Sequence, residues 1–393
     1  MGLDVEAMVH GQTEFTIDLY KAVVKGKETE NAVLSPVCIS LALAMVSAGA
    51  KGPTREQIAK CIKLPEGEPM HNFSSQVKIA LLADGSGAGG PQLSLANRIW
   101  VEQSVKLKLE FQKVLKDSYG SEAASVDFRT KADEARGKVN EWAKEETHGK
   151  IEDLLPPGSV DQGTHIVLAN ALYFKGAWKK PFEEKDTKDG EFFLLDGKSI
   201  KVPMMHTTKK QYVKDFSTFK ALRLPYSSGH DRRSFSMFIL LPHEKNGITE
   251  FEKSLDFKTL AEDLSKVNQE APMNQFALPK FKISFSFEVP EALQTLGLSL
   301  PFGEEADLTE MVDSSLADKL FVSNLYHKTF VDVNEKGTEA AAATAATITL
   351  KGISMFQDPI DFICDHPFLF VIKEEVTNVI IFTGRITDPS VEK

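Results

Sequence analysis

Cysteine is scarce: Cys38, Cys61 and Cys364 are the only three in 393 residues. An odd, sparse count supplies no disulfide framework and fits a reducing compartment. The nine histidines show no H-E-x-x-H or other metal spacing. No G-x-S-x-G elbow is present. Cys364-Asp365-His366 brings three reactive types together, but consecutive strand residues point to opposite faces and make a poor triad. No catalytic residue, metal site or cofactor is therefore assigned. The N-terminus, Met1-Gly2-Leu3-Asp4-Val5-Glu6, lacks an apolar signal-peptide core, and Glu6 spoils a myristoylation match. Cytoplasmic residence is expected, the alternative being the apoplast by a leaderless route. The run from Val33 to Ala50 is interrupted by Ser35, Pro36, Ser40 and Ser47, so it reads as a buried globular helix and no membrane partner is expected.

Linkers are also missing. The richest Gly/Pro stretch, Gly85 to Pro91, is too short to divide the chain, so residues 1–393 are read as a single domain. That stretch contains a formal G-x-G-x-x-G. A dinucleotide site needs a helix next, whereas Pro91 and a strand pattern follow, which leaves a flexible loop. A net charge of −10 argues against a nucleic-acid partner. Arg232-Arg233 and the Lys106/Lys108 region read as solvated faces.

A hydrophobic fraction of 42% is ample for a core. Phe15, Leu19 and Val23 recur at helical spacing over 10–25, and Ala132 to Thr147 is a charged helix. Thr54-Arg55-Glu56-Gln57 has the form of a capping box. Strand alternation marks Leu93 to Val101, Ile166 to Phe174 and Phe281 to Val289, and Phe235 to Leu241 is an apolar strand. Helices and strands mix without strict βαβ order, which predicts α+β. Asn170 and His327 lie on otherwise apolar strand faces. An unpaired buried polar group costs about 1–3 kcal/mol, so each needs a partner, and they are candidates for one another.

The most informative segment runs from Glu335 to Gly352. It carries no large side chain between Ala340 and Thr347. Its first half favours helix and its β-branched second half favours strand. On composition it is an alanine-rich surface helix or linker. Read at period two, Thr338, Ala340, Ala342, Thr344, Ala346 and Ile348 form a small, uncharged face that could be buried between two strands. Strand patterns flank it at Leu325 to Asn334 and at Asp361 to Ile372, and Lys351 ends it as bait for a basic-specific protease.

These features resemble the serpin family, most closely its plant members. The resemblance rests on Asn334 to Ala343, Asp365-His366-Pro367-Phe368-Leu369-Phe370, Phe382-Thr383-Gly384-Arg385, Asn170 to Trp178, and Asn31-Ala32-Val33-Leu34-Ser35-Pro36. They occur in serpin order over about residues 10 to 390. The resemblance implies three β-sheets, eight or nine helices and an exposed reactive-centre loop over about 335–357. It implies a suicide-substrate protease inhibitor with its reactive bond at Lys351–Gly352. Ile348, Thr349 and Leu350 would be read by the protease, with Gly337, Thr338, Glu339, Ala340, Ala341, Ala342 and Ala343 as the hinge. It places Trp178, Lys280 and Glu335 in a "breach" at the top of the main sheet. Ser35, Cys38, Asn170 and His327 fall in a "shutter" below, where Cys38 departs from the family's usual serine and could leave the cluster looser or redox-sensitive. Expected partners are trypsin-like serine, papain-like cysteine and metacaspase proteases, with the inhibitor a monomer. A non-inhibitory carrier, storage or adaptor serpin is the alternative.

Overall fold

The computed structural model describes residues 3–81, 83–313, 320–338 and 358–392. Among these, nine α-helices surround three sheets of six, four and seven strands, the α+β architecture expected. Glu339 to Ala343 of the hinge, the recognition residues Ile348, Thr349 and Leu350, and the bond Lys351–Gly352 lie outside the described residues. No described helix is long and apolar enough to cross a membrane.

The six-stranded sheet runs Phe281–Glu288, Asn324–Asn334, Gly337–Thr338, Ile166–Ala177, Gln92–Glu102, Ala123–Val126. Period-two alternation explains the long apolar run in Ile166–Ala177. Ile166, Leu168, Leu172 and Phe174 enter the main core, together with residues of the buried helix Pro36–Gly49. Val167, Ala169, Ala171 and Tyr173 enter a second core beneath helix Phe128–Glu146. A strand covered on both faces loses the polar half of its pattern.

Ile166–Ala177 and Asn324–Asn334 pair in parallel from Asn324 opposite Val167 to Phe330 opposite Tyr173. Beyond that register they part. Gly337–Thr338 occupies the opening, with Thr338 opposite Val333 on one side and Gly176 on the other. Glu335, Gly337 and Thr338 are buried, so the segment read as an exposed loop from 335 is already packed at its start.

Three other local readings change. Thr54 does not cap its helix: Gly52–Ile62 begins before it, with Pro53 in the first turn. Proline suits that position because it lacks the amide that would go unpaired. The Thr54 hydroxyl instead accepts from the Asp307 amide at 2.9 Å, and Gln57 Oε1 accepts from the Ser299 and Leu300 amides. The Gly85–Gly90 segment is a closed turn, with the Gly85 amide bonded to Pro91 O and the Gly90 amide to Gly85 O, each at 3.0 Å. Arg233 is not solvated. Its guanidinium grips Asp231 at 2.5 Å, leaving the two side chains 13% and 10% exposed.

A buried ion pair fastens the C-terminal strand Ile380–Ile386 to the helices. Arg385 donates to Glu252 at 2.9 and 3.2 Å and to Glu30 O at 2.9 Å, and Tyr20 also donates to Glu252. Burial pushes the Glu252 carboxyl up, against the pull of Arg385 and Tyr20. Arg385→Met would strand this carboxylate without a counter-ion. It should cost about 3–5 kcal/mol in urea unfolding, whereas a loss below about 1 kcal/mol would mean that solvent reaches the site.

Candidate functional site

Two clusters flank the opening in the main sheet. The lower one is built on a single rung of the sheet, where Asn97, Asn170, His327 and Phe287 face one another across four strands. Ser35 comes up beneath it at the start of helix Pro36–Gly49. The Ser35 hydroxyl lies 2.7 Å from Ile381 O and 3.1 Å from Cys38 Sγ. The Ser35 hydroxyl is the donor in both contacts, shared between the Ile381 carbonyl and the Cys38 sulfur. The Ser35 amide donates to His327 Nε2 at 3.0 Å. Nε2 is therefore bare, and Nδ1 carries the proton and donates it to Asn170 Oδ1. Asn170 Nδ2 in turn donates to Cys38 O at 3.0 Å and to Asn97 Oδ1. Ser35, Cys38, Asn170 and His327 are all 0% exposed. Each satisfies the others, so their burial carries no orphan penalty.

The upper cluster holds the start of the hinge. Lys280 pairs with Glu335 at 2.9 Å, and Thr187 donates to the other Glu335 oxygen at 2.7 Å. Burial opposes ionisation of Glu335, but the hydrogen bonds from Thr187 and Lys280 outweigh it and hold the carboxyl below its ordinary value. Trp178 donates from Nε1 to Asn334 O and from its amide to Lys336 O, each at 2.9 Å, bracketing Glu335. Its ring stacks on Tyr226 at 4.5 Å. The Tyr226 hydroxyl pairs with that of Thr338 at 2.7 Å, where Thr338 is 0% exposed. Gly337 makes this entry possible. Its φ is +152°, and a Cβ there would meet Gly176 O at 2.0 Å. Only glycine passes so close to the neighbouring strand.

The serpin (serine protease inhibitor) family model matches residues 10–389. The chain belongs to the serpin family. Serpin-ZXA of Oryza sativa subsp. japonica is 46% identical over 395 residues, covering 99% of each chain. Serpin-ZX of Arabidopsis thaliana is 42% identical over 98% of this chain and all of that protein. The solved structure of Arabidopsis AtSerpin1 in its native stressed conformation superposes with a TM-score of 0.90 at 42% identity, over 99% of this chain and 100% of that one.

In this serpin, Ser35, Cys38, Asn170 and His327 come together as one cluster, and Trp178, Lys280 and Glu335 as another. Three partners escaped the sequence reading. Asn97 stood in a recognised alternation and shares the face of Asn170, so its polarity was the available signal. Thr187 and Tyr226 reach the breach from segments distant in sequence, with no local signal. Cys38 is fully buried within its cluster. Burial pushes its thiol up to about 12, the bond with Ser35 lowering it less, so the reactive thiolate is suppressed.

Burial also lowers His327 from 6.5 to about 3. The unfolded chain takes up a proton below 6.5 while the folded one stays neutral, so stability is lost as pH falls from 6.5 towards 3. The slope from this group approaches about 1.4 kcal/mol per pH unit. His327→Gln keeps an acceptor without a titration. Comparing urea unfolding at pH 7 and 4.5, the wild type should lose roughly 2–3 kcal/mol more than the variant. Equal losses would mean that His327 is already charged in the fold.

Proposed function

We propose that this serpin is a suicide-substrate inhibitor of basic-specific proteases, with its reactive bond at Lys351–Gly352. One observation carries the reading. Thr338 is seated at the top of the opening between Ile166–Ala177 and Asn324–Asn334, and the alternate residues after it that would share its face, Ala340 and Ala342, are small and uncharged. The first step of a strand insertion is therefore built, and the residues that would follow have the size to follow. The protease nucleophile attacks the Lys351 carbonyl. The Lys351–Gly352 bond breaks, Gly352 leaves as a protonated amine, and the acyl-enzyme ester or thioester remains. Freed at its end, the loop zips into the sheet as a new strand from Thr338 to about Thr349. Twelve residues at about 3.3 Å each carry the attached protease roughly 40 Å, distorting it before water can deacylate it. Loop insertion of this kind is the family's established strain-releasing switch.

Lys351 fills a basic-specific primary pocket, Leu350 an apolar second one, and Ile348 and Thr349 lie along the cleft. Gly352 offers little bulk beyond the bond. The targets this supports are trypsin-like serine proteases, papain-like cysteine proteases, which read Leu350, and metacaspases, which read the lysine. The setting is the cytoplasm, and the roles are defence and control of cell death. The inhibitor acts once and turns over nothing.

Incubation with trypsin and denaturing electrophoresis should give a covalent adduct. Lys351→Glu should abolish it while leaving urea unfolding within about 0.5 kcal/mol of the wild type. Thr338→Arg should convert the inhibitor into a substrate, since a guanidinium cannot take the buried seat without a costly desolvation. Clipping of the wild type without adduct would instead favour the carrier, storage or adaptor reading. An unaltered adduct from Lys351→Glu would mean that the bond lies elsewhere.

A further inference from the structure

The Gly85–Gly90 turn and the hairpin loop of residues 226–235 are locked together beside the breach. Arg233 is the centre of the lock. It grips Asp231 through Nε and Nη2 and donates from Nη1 to Ala83 O at 2.7 Å. The His230 amide donates to Ala88 O at 2.7 Å. The glycines are small because the fit is close. A Cβ on Gly85 would sit 2.3 Å from Asp231 Oδ2 and 2.5 Å from Arg233 Nη2, and one on Gly90 2.8 Å from Asp231 Cβ. Glycine is therefore used at these positions to admit the ion pair, where the sequence alone showed a loop without a ligand.

From Arg233 a packed path leads to the hinge. The guanidinium lies 5.3 Å from the centre of the Phe235 ring. Phe235 packs edge-on against Phe174 at 6.0 Å, and Phe174 against Tyr226 at 4.9 Å. The base of the hairpin is closed by the Tyr226 amide on Phe235 O at 2.9 Å, and the Ser227 amide ties it to Ala177 O at 2.7 Å. Tyr226 is the residue whose hydroxyl holds Thr338.

We propose that Asp231 and Arg233 are positioning residues for the hinge: by fixing the 226–235 hairpin against the glycine turn, they hold Tyr226 where it seats Thr338 in the main sheet. This rests on the inhibitory reading for its consequence but not for its geometry. A seated Thr338 is the nucleus from which insertion propagates. Loosening it slows insertion relative to deacylation, so more inhibitor is consumed as substrate for each protease trapped.

The test compares wild type, Arg233→Ala, Gly85→Ala, Tyr226→Phe, Arg233→Ala with Tyr226→Phe, and Gly87→Ala in the full chain. Gly85 has φ −94°, which alanine adopts, and an added Cβ crowds the ion pair most closely, with Pro91 O also at 2.9 Å. Gly87 has nothing within 4 Å of an added Cβ and serves as the control. Two quantities are read: amide hydrogen exchange over residues 334–338, and moles of inhibitor consumed per mole of trypsin trapped. Arg233→Ala, Gly85→Ala and Tyr226→Phe should each speed exchange there and raise consumption several-fold, with Gly87→Ala unchanged. The double variant should match the single ones, because all three act through one contact. Unchanged exchange in Arg233→Ala and Gly85→Ala overturns the proposal, as do effects of Arg233→Ala and Tyr226→Phe that add in full. A wild type that forms no trypsin adduct sinks the inhibitory reading alone, and the exchange rates still decide the positioning role. Should Arg233→Ala fail to fold, Gly85→Ala carries the same comparison.

Discussion

The seating of two residues, Gly337 and Thr338, between strands that pair directly below them is the constraint on which the rest of the molecule turns. Ile166–Ala177 and Asn324–Asn334 can be neighbours only as far as Phe330 and Tyr173. Above that point the strands part around the hinge, and its backbone is paired on both sides. A sheet in this condition has a defined place to open and a defined occupant at its mouth. Extending the hinge downward would replace each direct pairing of the two strands by pairing on both sides of the hinge, as at Gly337–Thr338.

The polar cluster below the hinge sets the resistance to that change. Asn170 and His327 pair across the junction of the two strands below the opening, and each is also tied to the helix underneath through Ser35 and Cys38. Separating the strands therefore breaks hydrogen bonds in a place without solvent, where polar groups left alone are expensive. At the top, the breach works in the opposite sense. Trp178, Glu335, Lys280 and Tyr226 hold the hinge in place and keep its path aligned with the opening. The glycine turn and the Asp231–Arg233 pair extend this support outward. The result is a sheet held shut in its middle and entered at its top.

The remaining architecture braces this arrangement. The two cores cover opposite faces of the sheet. The buried Arg385–Glu252 pair fastens the C-terminal strand of the seven-stranded sheet to helices Leu3–Val24 and Ile248–Ser254. Among the described residues, the free cysteines are buried and add no covalent restraint.

Much of this was legible in the amino-acid order. Alternation located the strands, and the isolated polarity of Asn170 and His327 announced a cluster, because an apolar face tolerates a polar residue only with a partner. The lack of bulk from Ala340 to Ala343 marked a segment able to enter a sheet. What the sequence could not decide was set by contacts between distant segments. Thr187 and Tyr226 met the hinge cluster only when the segments that carry them came beside it. Pro53 displaced the cap read at Thr54 because the helix began where the fold required it. Arg233 looked like a solvated charge until the glycine turn closed over its pair with Asp231. Periodicity and composition report which face of an element is buried, and they act over a few residues. Which segments meet across that face is a matter of topology, and only the tertiary structure fixed how far the hinge stands inside the sheet.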